Sequence, residues 1–233
     1  MQPDVLIIGD SHTAALQAGC AALGLNAALF YLSGNHWHAG AAAYHAEAGL
    51  QFARRPVLQR RVSAIRGSMG GASLFNAHVP VIASFGYHLG RLVPPFASWG
   101  HTTDAAEFAG TADKHFASAG LMAATVAHFR DSHIGILAQA SRLCDLVVVA
   151  PPMVTADATA HGFACHITAR LQAAGVRVHD PRGGRAYDGV TLDEGLLSAD
   201  RVHGNAAYGA QVISDLLAQG LIRKPEARVT LVA

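Results

Sequence analysis

A doubly wound α/β domain is the fold this sequence predicts, and three observations predict it. Its 233 residues suit one domain of that class. Val5-Leu6-Ile7-Ile8 and the stretch from Asp145 to Ala150 are short apolar runs, the pattern of parallel strands buried on both faces. Strand-like and helix-like segments alternate along the chain, which implies a parallel sheet with helices on both sides.

The elements follow in order. The first strand leads into the turn Gly9-Asp10-Ser11, and Thr13 to Leu23 carries apolar residues at helical spacing up to Gly24. Ala27 to Leu32 reads as a second strand, and residues 33–40 read as a loop by composition. Val57 to Val62 and Ala72 to Phe75 flank a glycine-rich turn, which suggests a β-hairpin. Val79 to Ser84 reads as a strand ending at Phe85-Gly86-Tyr87-His88. Residues 90–133 form an excursion over the strand ends, partly helical from about Ala112, with Phe96 or Trp99 expected to face a cleft. A helix from Ile134 to Leu143 precedes the strand at 145–150, which Pro151-Pro152 stops. Asp157 to Ala174 reads as a helix closed by Gly175, and Val176 to His179 as the last strand. Asp200 to Asn205 opens a final helix, Ala206 to Leu217. One domain over 1–222 is expected, with insertions near 41–76 and 90–133 and a tail at 223–233.

Composition narrows the function classes. Hydrophobic residues make up 51% and charged residues 14%, which excludes general disorder. Lys plus Arg is 17 and Asp plus Glu is 16, with no basic stripe, so no nucleic-acid or membrane partner is expected. Arg54, Arg55, Arg60, Arg61 and Arg66 read as a solvated face. Cys20, Cys144 and Cys165 are odd in number and widely spaced, so neither a disulfide framework nor a zinc ribbon is suggested. No apolar run approaches the ~20 residues of a membrane helix. With a strand expected from near residue 4, no leader peptide and a cytoplasmic location are the expectation. Nothing in the sequence fixes the oligomeric state.

In doubly wound folds, sites form at the carboxyl ends of the strands. Ser11 stands there, between a buried strand and a helix start, where its N–H meets the positive end of the helix. Alone, this arrangement is more often a helix cap. A serine nucleophile needs a base, and the base needs an orienting carboxylate. Asp200 and His203, three residues apart, supply both types from one segment, although an isolated Asp-x-x-His is a weak signal.

Taken together, these signals become specific. Val-Leu-Ile-Ile-Gly-Asp-Ser-His-Thr at the start and Asp-Arg-Val-His-Gly-Asn-Ala-Ala-Tyr-Gly near the end resemble blocks I and V of the SGNH (GDSL-like) serine hydrolases. Val-Val-Val-Ala-Pro-Pro at 147–152 and Gly-Val-Arg-Val-His-Asp at 175–180 are similar to that family too. The resemblance covers the core and leaves out 41–76 and 90–133. It implies a three-layer α/β/α sandwich with a five-stranded parallel, flavodoxin-like sheet. It implies ester hydrolysis or acyl transfer with no cofactor and no metal, with Ser11 as nucleophile, His203 as base and Asp200 as its partner. It also implies an oxyanion hole from the Ser11 N–H and a glycine N–H, Gly40 in slight preference to Gly34. A third oxyanion donor in the family is the Asn of a Gly-x-Asn-Asp block. Here the matching stretch is Gly86-Tyr87-His88-Leu89, so His88 stands in for that Asn, with Asn35 or Asn76 as alternatives.

Fourteen histidines are many for this length. His12, His36, His38 and His88 are placed near the strand ends, and His36-Trp37-His38 would put two imidazoles on one side of an extended segment. Without a carboxylate-rich cluster beside them, they read as polar lining of a substrate cleft rather than as metal ligands. Asp10, His12, Trp37 and Tyr87 are the expected substrate-binding residues. Three functions follow: an esterase for a short acyl group, such as an O-acetyl on a glycan or metabolite; an O-acyltransferase with the same triad; and a catalytically weak binding module of the same fold.

Overall fold

A computed structural model describes residues 2–39, 41–70, 73–75, 78–184, 186–188 and 190–223. Five strands, β1 Val5–Gly9, β2 Ala27–Tyr31, β3 Val81–Ala83, β4 Leu146–Val149 and β5 Arg177–His179, form one parallel sheet in the order β2-β1-β3-β4-β5. Ile7 of β1 pairs with Leu29 on one side and Ile82 on the other. The helices are α1 Thr13–Ala22, α2 Gly34–Ala39, α3 Pro56–Ser68, α4 Val93–Ser98, α5 Ala105–Gly110, α6 Ala119–Ala140, α7 Ala158–Ala173 and α8 Ala206–Ala218.

Strand side chains alternate between faces, so each apolar run feeds two cores. Leu6, Ile8, Val81, Ala83 and Val148 pack on one side with residues of α3, α6 and α7. Val5, Ile7, Ile82, Val147 and Val149 pack on the other with α1 and α8. The protein is therefore a three-layer α/β/α sandwich. Its strand order turns back at the β1/β3 step, the switch point where a crevice opens at the carboxyl ends of such sheets.

Two glycines set the spacing of the second layer. A Cβ at Gly209 would lie 1.8 Å from the Ala15 carbonyl oxygen, and one at Gly19 would lie 2.3 Å from Gly209. The backbones of α1 and α8 touch there. That contact brings the start of α1 beside the start of α8, and the two chemistry-bearing segments of the sequence lie at those starts.

Several expectations need correction. Residues 34–39 are helical rather than loop, because Trp37 buries its ring in the core and pulls the segment into a turn. Residues 56–68 are a helix, not half of a hairpin: Pro56 sits in its first turn, and Leu58 and Val62, four apart, bury one face. The hairpin of this region pairs Ala42–His45 with Gly49–Phe52. Helix α6 has 22 residues and starts at the Ser118 cap, well before Ile134. Ala72 of the other half of the expected hairpin, and residues 224–233 of the tail expected at 223–233, lie outside the described residues.

Candidate active site

Gly9 ends β1 deep in the sheet, and the next two residues turn the chain into α1. Asp10 organises that turn. Its carboxylate Oδ1 accepts from the Ser84 hydroxyl at 3.0 Å and the His12 N–H at 3.1 Å, while its carbonyl accepts from the Thr13 hydroxyl at 2.7 Å. The Ser84 Oγ in turn accepts from the Asp10 N–H at 3.2 Å, tying β1 to β3. Ser11 is left exposed above the sheet, and His12 is the N-cap residue of α1.

Asp200 and His203 come from the turn that precedes α8, not from the helix itself, which Asn205 caps with its side chain. Asp200 Oδ1 accepts from the N–H groups of Val202 at 2.9 Å and His203 at 3.0 Å and from the Ser198 hydroxyl at 2.5 Å. Those bonds, Ser198 foremost and then the Val202 N–H, hold the carboxyl well below the usual carboxylate range. The other carboxylate oxygen, Oδ2, lies 2.6 Å from His203 Nδ1. An ionised carboxylate only accepts, so Nδ1 carries the proton and Nε2 is left as acceptor. Nε2 lies 2.7 Å from Ser11 Oγ, whose hydroxyl therefore donates to it. A continuous Asp–His–Ser hydrogen-bond chain results, linking residues 192 positions apart. His12 stacks obliquely near it, its ring centroid 4.9 Å from that of His203, and burial lowers its pKa against the opposing pull of Asp10.

His88 lines the same cleft but does not aim a ring nitrogen into it. Its backbone is left-handed, with φ 41°. Nε2 lies 3.3 Å from Asp10 Oδ2, within ion-pair distance though off hydrogen-bond alignment, and Nδ1 is enclosed without a partner. A Cβ on Gly34 would lie 2.2 Å from that Nε2, so only glycine fits there. Burial pushes the His88 pKa down, opposed by Asp10 and reinforced by Arg130. Among the described residues, the N–H groups of Ser11 and Gly34 donate to no acceptor. Gly40 and Asn76 lie outside the described residues. Asn35 is exposed, and Arg91 holds its side-chain oxygen.

Other expected cleft residues sit elsewhere. Trp37 is 1% exposed, stacks on Phe85 with centroids 4.1 Å apart, and donates its indole N–H to the Gly9 carbonyl at 3.1 Å. Tyr87 is buried, with its hydroxyl 2.7 Å from that of Thr168. Both belong to the core, because the large apolar ring of each outweighs its single polar atom. Phe96 packs on Phe163, and Trp99 is 68% exposed; Val93 and Pro94 are the residues of α4 that line the cleft. His36 bonds Ser33, while His38 turns inward to His88 and His133, so the helical turn separates the two imidazoles.

Sequence reasoning missed Arg130. Its guanidinium is fully buried in α6 and donates to the carbonyls of Tyr87, His88 and Phe129, each at 2.9 Å. Burial pushes its pKa down to about 10. It clamps the loop after β3 on which His88 rides. A signal was present: Val126, Arg130, Ile134 and Leu137 lie on one helical face, a charge in an apolar stripe. Among the described residues, no group of three or more His, Cys, Asp or Glu is placed to hold a metal ion, and no helix is long and apolar enough to cross a membrane.

A parallel sheet carrying a Ser–His–Asp chain at its switch point defines an α/β protein with the geometry of an activated serine. No family model matches the sequence, and no curated protein matches it. Two solved structures are similar in fold. One is the psychrotrophic esterase EstA from Pseudoalteromonas sp., inhibited by monoethylphosphonate, at 12% identity and TM-score 0.44 over 93% of this chain and 97% of that one. The other is a GDSL-like lipase from Bacteroides thetaiotaomicron, at 12% identity and TM-score 0.43 over 93% of this chain and 86% of that one.

Proposed function

We propose that this chain is a serine hydrolase that cleaves carboxylesters through an acyl-enzyme on Ser11. The observation that carries this reading is the unbroken contact series from Ser11 Oγ to His203 Nε2 at 2.7 Å and from His203 Nδ1 to Asp200 Oδ2 at 2.6 Å.

In the proposed sequence, the Ser11 oxygen attacks the ester carbonyl as its proton passes to His203 Nε2. The imidazolium that forms is stabilised by Asp200, which stays ionised because the Ser198 hydroxyl and two N–H groups hold its charge. The N–H groups of Ser11 and Gly34 receive the carbonyl oxygen as it gains charge. His203 then returns the proton to the departing alcohol, leaving the acyl group on Ser11. A water molecule, activated by the same imidazole, releases the acid. An acceptor alcohol in place of water gives the acyltransferase outcome by the same steps. His88 acts as a packed wall that holds Gly34 and Asp10 in register.

A fluorophosphonate probe should label the protein at Ser11, and Ser11→Ala should remove both the label and ester turnover. The drop should reach several orders of magnitude, because no acyl-enzyme forms. His203→Ala should approach the same loss, and the double variant should be little worse than either, since the residues act as a unit. Near-wild-type turnover in Ser11→Ala refutes the reading. Added sugar or glycerol acceptors measure how the acyl group partitions between water and alcohol.

A further inference from the structure

The cleft at Ser11 has a volume of about 470 Å³, and apart from Thr155 its polar lining side chains gather around Ser11. Asp10, Ser11, His12, His88 and His203 form that group. The remaining walls are mostly apolar: Leu89, Val93 and Pro94 on the side of β3 and α4, and Pro152, Met153 and Ala160 on the side of β4 and α7, where Thr155 is the polar exception. Among the described residues, no lysine, arginine or glutamate lines it. Its one carboxylate outside the triad, Asp10, is 3% exposed, with both oxygens facing Ser84, His12 and His88.

These walls decide what can lie beside the scissile carbonyl. An anionic group would give up its hydration there with no cation from the described lining to replace it, and a sugar would leave most of its hydroxyls unpaired. An alkyl chain instead gains with each methylene removed from water. The cleft is roomy enough for an ester head and an acyl chain of several carbons beyond it. Resting on the serine-hydrolase reading above, we propose that the natural substrates are neutral esters of medium-chain acids, with the acyl chain lying along the wall of Val93, Pro94 and Met153. It differs from the expectation of a short acyl group on a glycan.

The proposal predicts a slope. Across p-nitrophenyl esters from acetate to octanoate, kcat/KM should rise about two- to fourfold per methylene, fourfold being the ratio for full burial of one methylene. p-Nitrophenyl hemisuccinate, which ends in a carboxylate, should be cleaved at least tenfold more slowly than the butyrate. Met153→Asp and Val93→Asp should each flatten the rise, shifting the octanoate-to-acetate ratio at least tenfold. The chain-length proposal is overturned by any of three results: a flat or falling series, hemisuccinate cleaved as well as butyrate, or acetylated sugars preferred over octanoate. With Ser11 still labelled by fluorophosphonate, those results leave the hydrolase reading standing. Absent labelling with no ester cleaved overturns both.

Discussion

Acid should erode the stability of this protein before its carboxylates are protonated, and His133 sets the scale. This residue lies on the core face of α6, 3% exposed, with Nε2 3.4 Å from the Trp37 carbonyl and the rings of Trp37 and Phe85 edge-on to it. Burial, with Arg130 and His88 nearby, pushes its pKa down to about 4, and the Trp37 carbonyl opposes the shift only in part. In the unfolded chain the ring titrates near 6.5. As pH falls below that value, the unfolded state takes up a proton that the folded state refuses until about pH 4. Stability is therefore complete above 6.5, erodes between 6.5 and 4, and gains no further loss from this group below. One proton is worth about 1.4 kcal/mol per pH unit, so roughly 3 kcal/mol is lost across the window. That is a large share of the ~5–15 kcal/mol of a typical domain. His38, driven to about 3 first by burial and then by His133, acts in the same direction. Its ring is 4.7 Å from that of His133, so the two contributions overlap rather than add. Urea unfolding at several pH values between 4.5 and 7.5, followed by tryptophan fluorescence, measures the slope; buried Trp37 reports the core. His133→Gln keeps a donor for the Trp37 carbonyl but cannot titrate, and should flatten the slope near pH 5 by about 1.4 kcal/mol per unit. Equal slopes in wild type and variant would refute the reasoning, whatever their absolute stabilities.

Two further predictions test the packing that builds the site. Gly209→Ala puts a methyl group 1.8 Å from the Ala15 carbonyl oxygen, so α1 and α8 must separate; thermal unfolding should show a loss of about 1–3 kcal/mol, and fluorophosphonate labelling should slow because Ser11 and His203 move apart. Gly34→Ala drives a methyl group into the His88 ring at 2.2 Å; ester turnover should fall at least tenfold while the Tm changes by only a few degrees, which kinetics and a melting curve on the same sample decide.

The sequence by itself determined the strands of the sheet, and it marked Ser11, His203 and Asp200 as a set only through the resemblance of their two segments to a known family's blocks. The strands are local signals. A strand covered on both faces must be apolar at every position, so Val5 to Ile8 and Leu146 to Val149 announce themselves. Asp200 and His203 are joined by an Asx-type turn that lies wholly within four residues. The helix at 56–68 was missed because only Leu58 and Val62 bury a face among its arginines, too thin a stripe to outweigh the glycine-rich segment after it. What only the tertiary structure decided are contacts between segments far apart in the chain. The glycine-to-glycine crossing of α1 and α8 closes a span of 192 residues between Ser11 and His203. Nothing local marks Gly19 and Gly209 as partners. The same holds for aromatic residues that seemed suited to a cleft: Trp37 and Tyr87 went to the core because Phe85 and Thr168 offered each a partner there. Arg130 follows the same rule, since a buried cation is tolerable only where folding delivers three carbonyls to meet it.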